Sequence, residues 1–220
     1  MKRVTGFHLP VDLGLHLIHA EEVMYYLYLP VSEPGTALSK IPDERLKFIK
    51  PLLNAIRDQA PRRYWESYVY ATVKKMYVGG GVTANRPGWH MDGYLSDDLN
   101  YIWYDEVPTL FTEAGPLIGL PADHIQSLQM LESNDHFLSK RSITYPCRHL
   151  LKLDDRVIHK VQTDVPQQLM RTFVKITVSL NRFHLKDNSK NPLLPDDGPF
   201  FERALVRNDP HQGQRDHYVK

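Results

Sequence analysis

The sequence predicts one mainly β domain with a few supporting helices. Turn-bounded stretches rich in Tyr, Val, Thr and Phe recur from Val23 to Ser179, the composition that suits a pleated, half-buried surface. A single segment, residues 43–56, carries a clear helical period. At 220 residues the chain is long enough for one sizeable core. We expect a single domain over 1–220, with a core near 66–180, strand and helix support over 1–65, and a wrapping or partly flexible tail over 181–220.

Composition excludes several classes of function. The 27 Lys and Arg against 26 Asp and Glu leave a net charge of +1, so no global field selects nucleic acid or a lipid surface. Arg62-Arg63 and Lys74-Lys75 are short basic pairs, too small to predict direct nucleic-acid binding. Cys147 is the single cysteine, which rules out an intrachain disulfide and a thiolate metal cage. No stretch approaches the roughly 18 apolar residues of a membrane span. The expectation is a soluble, cytoplasmic protein; composition does not address its oligomeric state.

In chain order, Val23–Leu29, ended by Pro30, is the first strand candidate. His16 and His19 would share a face if helical, but without an acidic or cysteine companion they read as a partly exposed pair. Residues 33–42 read as a loop. Asp43 and Glu44 then open a helix whose Leu46, Ile49, Leu53 and Ile56 form an apolar stripe. Pro51 either kinks this helix or starts a second one near its first position.

Tyr64–Val78 reads as strand, too long for one flat strand, and ends at Gly79-Gly80-Gly81. That glycine run is a turn or bulge, because no helix opening with Lys-Ser/Thr follows it to make a phosphate loop. Asn100–Tyr104, Thr109–Phe111 and Ile125–Leu131 read as short strands, with a Gly- and Pro-punctuated loop over 112–124 and a polar segment over 132–140. Arg148–Leu153 and Arg156–Val161 read as two strands joined by a tight turn at Asp154-Asp155. The clearest strand is Arg171–Ser179. One of its faces carries Thr172, Val174, Ile176 and Val178; the other carries Arg171, Phe173, Lys175, Thr177 and Ser179.

The chemistry concentrates at Trp89-His90-Met91-Asp92-Gly93. In a strand, side chains two apart point to one face, so His90 and Asp92 supply an imidazole and a carboxylate to a common point. His159 shares a strand face with Val157 and Val161, and offers a third ligand. Two histidines and one carboxylate bind one face of an octahedral ion and leave three adjacent positions open. The bland reading takes the three as unrelated: a turn histidine, an Asx cap before Gly93 and a core histidine.

The order His90-x-Asp92, His159, Arg171 resembles the Fe(II)- and 2-oxoglutarate-dependent oxygenases. His159 follows Asp92 by 67 positions, and Arg171 follows His159 by 12. Trp89–Gly93 and Asp154–His159 are similar to the wording of that family around its ligands, and the resemblance spans roughly residues 66–180. It implies a double-stranded β-helix (jelly roll, cupin-like) core, Fe(II) held by His90, Asp92 and His159, and 2-oxoglutarate and O2 as co-substrates. It implies that Arg171 binds the distal carboxylate of 2-oxoglutarate, with Lys175 as a substitute.

Family members often place Ser two residues after the arginine, where this chain has Phe173. Tyr77 and Tyr101 are further candidates to hydrogen-bond the co-substrate. The implied activity is a dioxygenase that couples oxidative decarboxylation of 2-oxoglutarate to C–H oxidation, most often hydroxylation. The substrate is left open among a small metabolite, an amino acid, a peptide and a nucleobase. The alternative is a cupin-like metal-binding or non-catalytic binding protein of the same fold.

Overall fold

The computed structural model describes residues 3–202, except 37, 84, 86, 196 and 197. In chain order its strands are β1 (Arg3–Val4), β2 (Val11–Leu15), β3 (Met24–Ser32), β4 (Tyr68–Val78), β5 (Leu99–Tyr104), β6 (Thr109–Thr112), β7 (Leu120–Pro121), β8 (Ser142–Thr144), β9 (His149–Leu153), β10 (His159–Val161) and β11 (Leu169–Ser179). The helices are α1 (Lys50–Gln59), α2 (Pro61–Trp65), α3 (His124–Ser133) and α4 (Asp135–Ser139). Most strands join one of two antiparallel sheets. The larger runs β2-β9-β5-β11-β4-β3 and the smaller β10-β6-β8, while β1 and β7 form a separate pair.

Strand β11 is the axis of the larger sheet. It pairs with β4 along its whole length, from Leu169 opposite Val78 to Ser179 opposite Tyr68, and with β5 on its other side. Cross-strand partners share a face. Val174 and Ile176 therefore lie with Val73, Ala71, Trp103 and Tyr101, and Phe173 and Lys175 lie with Lys74 and Thr72.

The first face is covered by the helical layer: Leu46, Ile49, Leu52, Leu53 and Ile56 pack on Val69, Ala71, Val73, Trp103, Val174 and Ile176. Each such aliphatic side chain contributes about 1.5–3 kcal/mol by leaving water. The second face turns toward the smaller sheet. Ile102, Tyr104, Leu151, Leu153 and Phe173 meet Phe111 of β6 in a second apolar cluster. Both faces of β11 are thus interior, so its cationic face lines the protein's inside.

The apolar stripe predicted over 43–56 divides at Pro51. A 3-10 turn covers Glu44–Ile49, capped by Asp43 accepting from the Arg45 N–H, and α1 then begins with Pro51 in its first turn. There the missing donor costs nothing. Other expectations need correction. The strand predicted from Tyr64 starts at Tyr68, because Pro61–Trp65 forms α2. β3 continues through Pro30 to Ser32; it is an edge strand, where proline's missing N–H breaks no ladder.

Ile125–Leu131 is helical, within α3, whose N-terminus is capped by Asp123 accepting from the Gln126 N–H. Its alternation loses to that cap and to packing of Leu131 beside Leu138. The polar 132–140 stretch holds the end of α3 and all of α4. β9 and β10 make no hairpin, since they belong to different sheets and the Asp154-Asp155 turn carries the chain from one sheet to the other. His16 and His19 lie outside any helix.

The glycine run is a tight turn: Gly79 and Val82 exchange backbone hydrogen bonds. Gly79 has φ 95°, and a Cβ there would stand 2.3 Å from the carbonyl oxygen of Gln167. The described part of the C-terminal segment wraps the edge strand. Ser189 N–H donates to Leu27 O, and the Asn191 amide donates to the carbonyls of Pro30 and Lys40; residues 203–220 lie outside the described residues. Among the described residues no helix is long and apolar enough to cross a membrane.

Candidate metal centre

His90 and His159 are neighbours through their backbones. They form an isolated antiparallel bridge in which each N–H donates to the other's carbonyl at 2.9 Å. Their rings stand 4.5 Å apart. His159 opens β10 and packs its ring 6.0 Å from that of Phe111. Asp92 follows His90 in a turn, so the strand predicted to present both residues covers only His90.

The turn still brings the three together. One ligand atom from each of His90, Asp92 and His159 lies within 4.8 Å of the others. Gly93, at φ 66°, lets the chain leave: a Cβ there would stand 2.6 Å from Ser96 Oγ.

The flanking residues hold this loop down. Trp89 and Met91 are buried with Leu131 of α3, Leu138 of α4 and Ile158. Trp89 Nε1 donates to Asp135 Oδ1 at 2.8 Å. The same carboxylate oxygen accepts from Lys160 Nζ at 2.7 Å, and that ammonium lies 4.8 Å from the Trp89 ring centroid. Apolar positions 89 and 91 thus pack inward while 90 and 92 turn to the site.

Both imidazoles have their tautomer set. His90 Nδ1 lies 2.9 Å from Gly88 O, and His159 Nδ1 lies 3.1 Å from Val157 O. A carbonyl only accepts, so each Nδ1 carries the proton and each Nε2 keeps its lone pair for a metal. Burial pushes His90 down to about 4, helped by its histidine neighbour, and burial lowers His159 as well. Both rings are neutral near pH 7, the form a metal requires.

Asp92 is ionised. Burial alone would raise its carboxyl, but the opposing charges, led by the Lys175 ammonium, outweigh it and hold it well below the usual range. Lys175 Nζ donates to Asp92 Oδ2 and to Tyr28 Oη, at 3.2 Å each. His159 Nε2 stands 3.7 Å from the same Asp92 oxygen.

Arg171 lies on the same face of β11 as Lys175, four residues earlier, and is 1% exposed. Its Nε donates to the carbonyls of Glu106 and Val107, at 2.8 and 3.1 Å. Its guanidinium carbon lies 5.0 Å from the Phe173 ring and 5.7 Å from the Tyr104 ring. Phe173, where a serine was expected, is therefore a cation-π shelf under the guanidinium. Both terminal nitrogens are buried without a hydrogen-bond partner among the described residues. Burial lowers this guanidinium to about 10, still charged at neutral pH. A buried, positioned and unsatisfied guanidinium fork fits the two oxygens of a carboxylate.

The chain matches no protein-family model and no curated protein. What the site can do rests on its own donors. Two imidazoles and a carboxylate form a set able to hold a divalent metal ion.

Two predicted residues stand apart from this group. Tyr77 alternates on β4 with the site-facing positions and is 60% exposed. Tyr101 faces the helical layer and donates to Gln59 Oε1 at 3.0 Å. The tyrosine at the site is Tyr28, which sequence reasoning missed. It sits at φ 46° where the β3–β4 register shifts, and its only trace in the sequence is membership of the aromatic run Tyr25–Tyr28.

Proposed function

We propose that this protein is a non-haem Fe(II)- and 2-oxoglutarate-dependent dioxygenase, its two sheets being the halves of a double-stranded β-helix. The observation that carries the reading is the pairing of a His90-Asp92-His159 group with a buried, unsatisfied Arg171 fork. The ligand set supports a metal with open adjacent positions, and the fork supports a carboxylate-bearing second ligand. Neither feature needs the other in a structural protein, and a buried unpaired guanidinium is costly on its own.

His90 Nε2, His159 Nε2 and a carboxylate oxygen of Asp92 would hold the ion. Fe(II) with 2-oxoglutarate supplies oxidative decarboxylation coupled to oxidation of a substrate C–H bond. Arg171 binds and orients the distal carboxylate through its two terminal nitrogens, while the Phe173 and Tyr104 rings pack beside the guanidinium. The Gly88 and Val157 carbonyls hold the protons on Nδ1. The apolar cluster of Ile102, Tyr104, Phe111, Leu151 and Phe173 excludes water from the interior between the sheets.

The test is anaerobic addition of Fe(II) and 2-oxoglutarate, watching for the visible charge-transfer band of the chelate. The expected result is a band in the wild type that is lost in His90→Ala, Asp92→Ala and His159→Ala. No band, or one indifferent to these substitutions, overturns the proposal. Metal binding without a band favours the non-oxidising, cupin-like alternative.

A further inference from the structure

Lys175 has a role distinct from that of Arg171. Its side chain is 12% exposed, and its ammonium stands 3.2 Å from Asp92 Oδ2, the oxygen that also lies 3.7 Å from His159 Nε2. The same ammonium is 3.2 Å from Tyr28 Oη and 5.1 Å from the centre of its ring. A monovalent cation thus sits on a carboxylate of the candidate metal ligand set.

We propose that Lys175 is the counter-ion of Asp92 in the metal-free protein, competes with a divalent cation for that carboxylate, and falls back on Tyr28 when the metal takes it. The inference rests on the metal site proposed above. Two effects of removing the lysine oppose each other, and the structure decides between them. Losing a donor to Asp92 loosens one ligand, whereas losing the ammonium removes a positive charge a few ångströms from the incoming ion.

Orientation of the site is supplied elsewhere. The two 2.9 Å backbone bonds between His90 and His159, the Trp89–Asp135 bond and the buried Met91 fix the loop without Lys175. Charge removal therefore dominates. Tyr28 is placed for the displaced ammonium: it is braced edge-on against Phe183, its N–H donates to Thr72 Oγ1 at 3.1 Å, and it offers both a hydroxyl and a ring face.

The experiment titrates Mn(II) into the full chain and reads the loss of the free-ion EPR signal, with melting temperatures taken in chelator and in saturating Mn(II). Lys175→Met is expected to bind Mn(II) about tenfold more tightly than wild type, a modest return for one charge removed beside a divalent ion. It is also expected to melt lower than wild type in chelator, with the gap closing in Mn(II). Lys175→Arg, which keeps the charge, stays within about twofold of wild type.

Unchanged or weaker Mn(II) binding by Lys175→Met overturns the proposal, as does a tightening shared by Lys175→Arg. A melting deficit equal with and without Mn(II) would assign Lys175 a merely structural role and overturn it too. Should the methionine variant fail to fold, Lys175→Gln carries the same measurements. If neither wild type nor variant binds Mn(II), the metal site falls along with this inference; equal binding by both removes this inference alone.

Discussion

His90 and His159 pin each other through two reciprocal 2.9 Å backbone hydrogen bonds, with their rings 4.5 Å apart. Residues 69 positions apart in the chain become adjacent by a single bridge. The ligand geometry is consequently built into the backbone, ahead of any ion.

On the proposed reading, replacing either histidine removes a ligand from a site whose backbone persists. His90→Ala and His159→Ala should each lower Mn(II) affinity by at least about 100-fold, since even the partners behind a ligand cost 10- to 100-fold. The titration should be accompanied by circular dichroism matching the wild type. Affinity within about threefold of wild type for both variants would show that the ion binds elsewhere.

On the proposed reading, Arg171→Met separates the co-substrate from the metal. 2-Oxoglutarate binding to the Mn(II)-loaded protein should weaken by at least about tenfold, the scale of a charged hydrogen-bond pair, while Mn(II) affinity changes little. The ligand-free protein should still fold, because the loss of the Nε bonds to Glu106 O and Val107 O is offset by removal of two buried, unsatisfied nitrogens. Equal loss of metal and co-substrate would count against the assigned role.

Ile56→Ala tests the helical layer independently of the site. Ile56 is fully buried against the outer face of the larger sheet, and its truncation should cost about 2–5 kcal/mol in urea unfolding. Mn(II) affinity of the folded variant should match wild type. A cost below about 1 kcal/mol would mean that the layer packs loosely.

Lys74 makes stability depend on pH. Burial, with Lys175 and Arg171 nearby, pushes its ammonium down to about 8 from an ordinary 10.5. Between those values the unfolded chain binds more protons than the native one, so this residue's contribution to stability rises with pH. Its destabilising effect is full below pH 8 and fades toward 10.5. Lys74→Met should therefore be more stable than wild type at pH 7, with the difference shrinking by pH 10 in metal-free denaturant titrations. A difference constant with pH would place an unshifted lysine there.

Much of this molecule is legible in local sequence. The period-2 faces of β11 are as alternation predicts, with Val174, Ile176 and Val178 turned to one side and Phe173 and Lys175 to the other. The apolar stripe from Leu46 to Ile56 packs as a layer. Asp123 is an N-cap that marks the start of α3, yet the alternation of Ile125–Leu131 is the louder local signal. Short apolar runs are ambiguous between helix and strand, because what decides them is the surface they pack against.

The sequence by itself determined which groups were available: two histidines and a carboxylate in a workable order, an arginine on the following strand, a mainly β chain around them. Tertiary structure decided what those groups meet. It sent Asp154-Asp155 from one sheet to the other, turned Tyr77 and Tyr101 away from the site and brought Tyr28 in through a register shift. It set Lys175 on Asp92 and left Arg171 with two unpaired nitrogens. Periodicity is a property of one strand and its backbone, whereas hydrogen-bond partners and burial depend on which distant strands the whole core places alongside it.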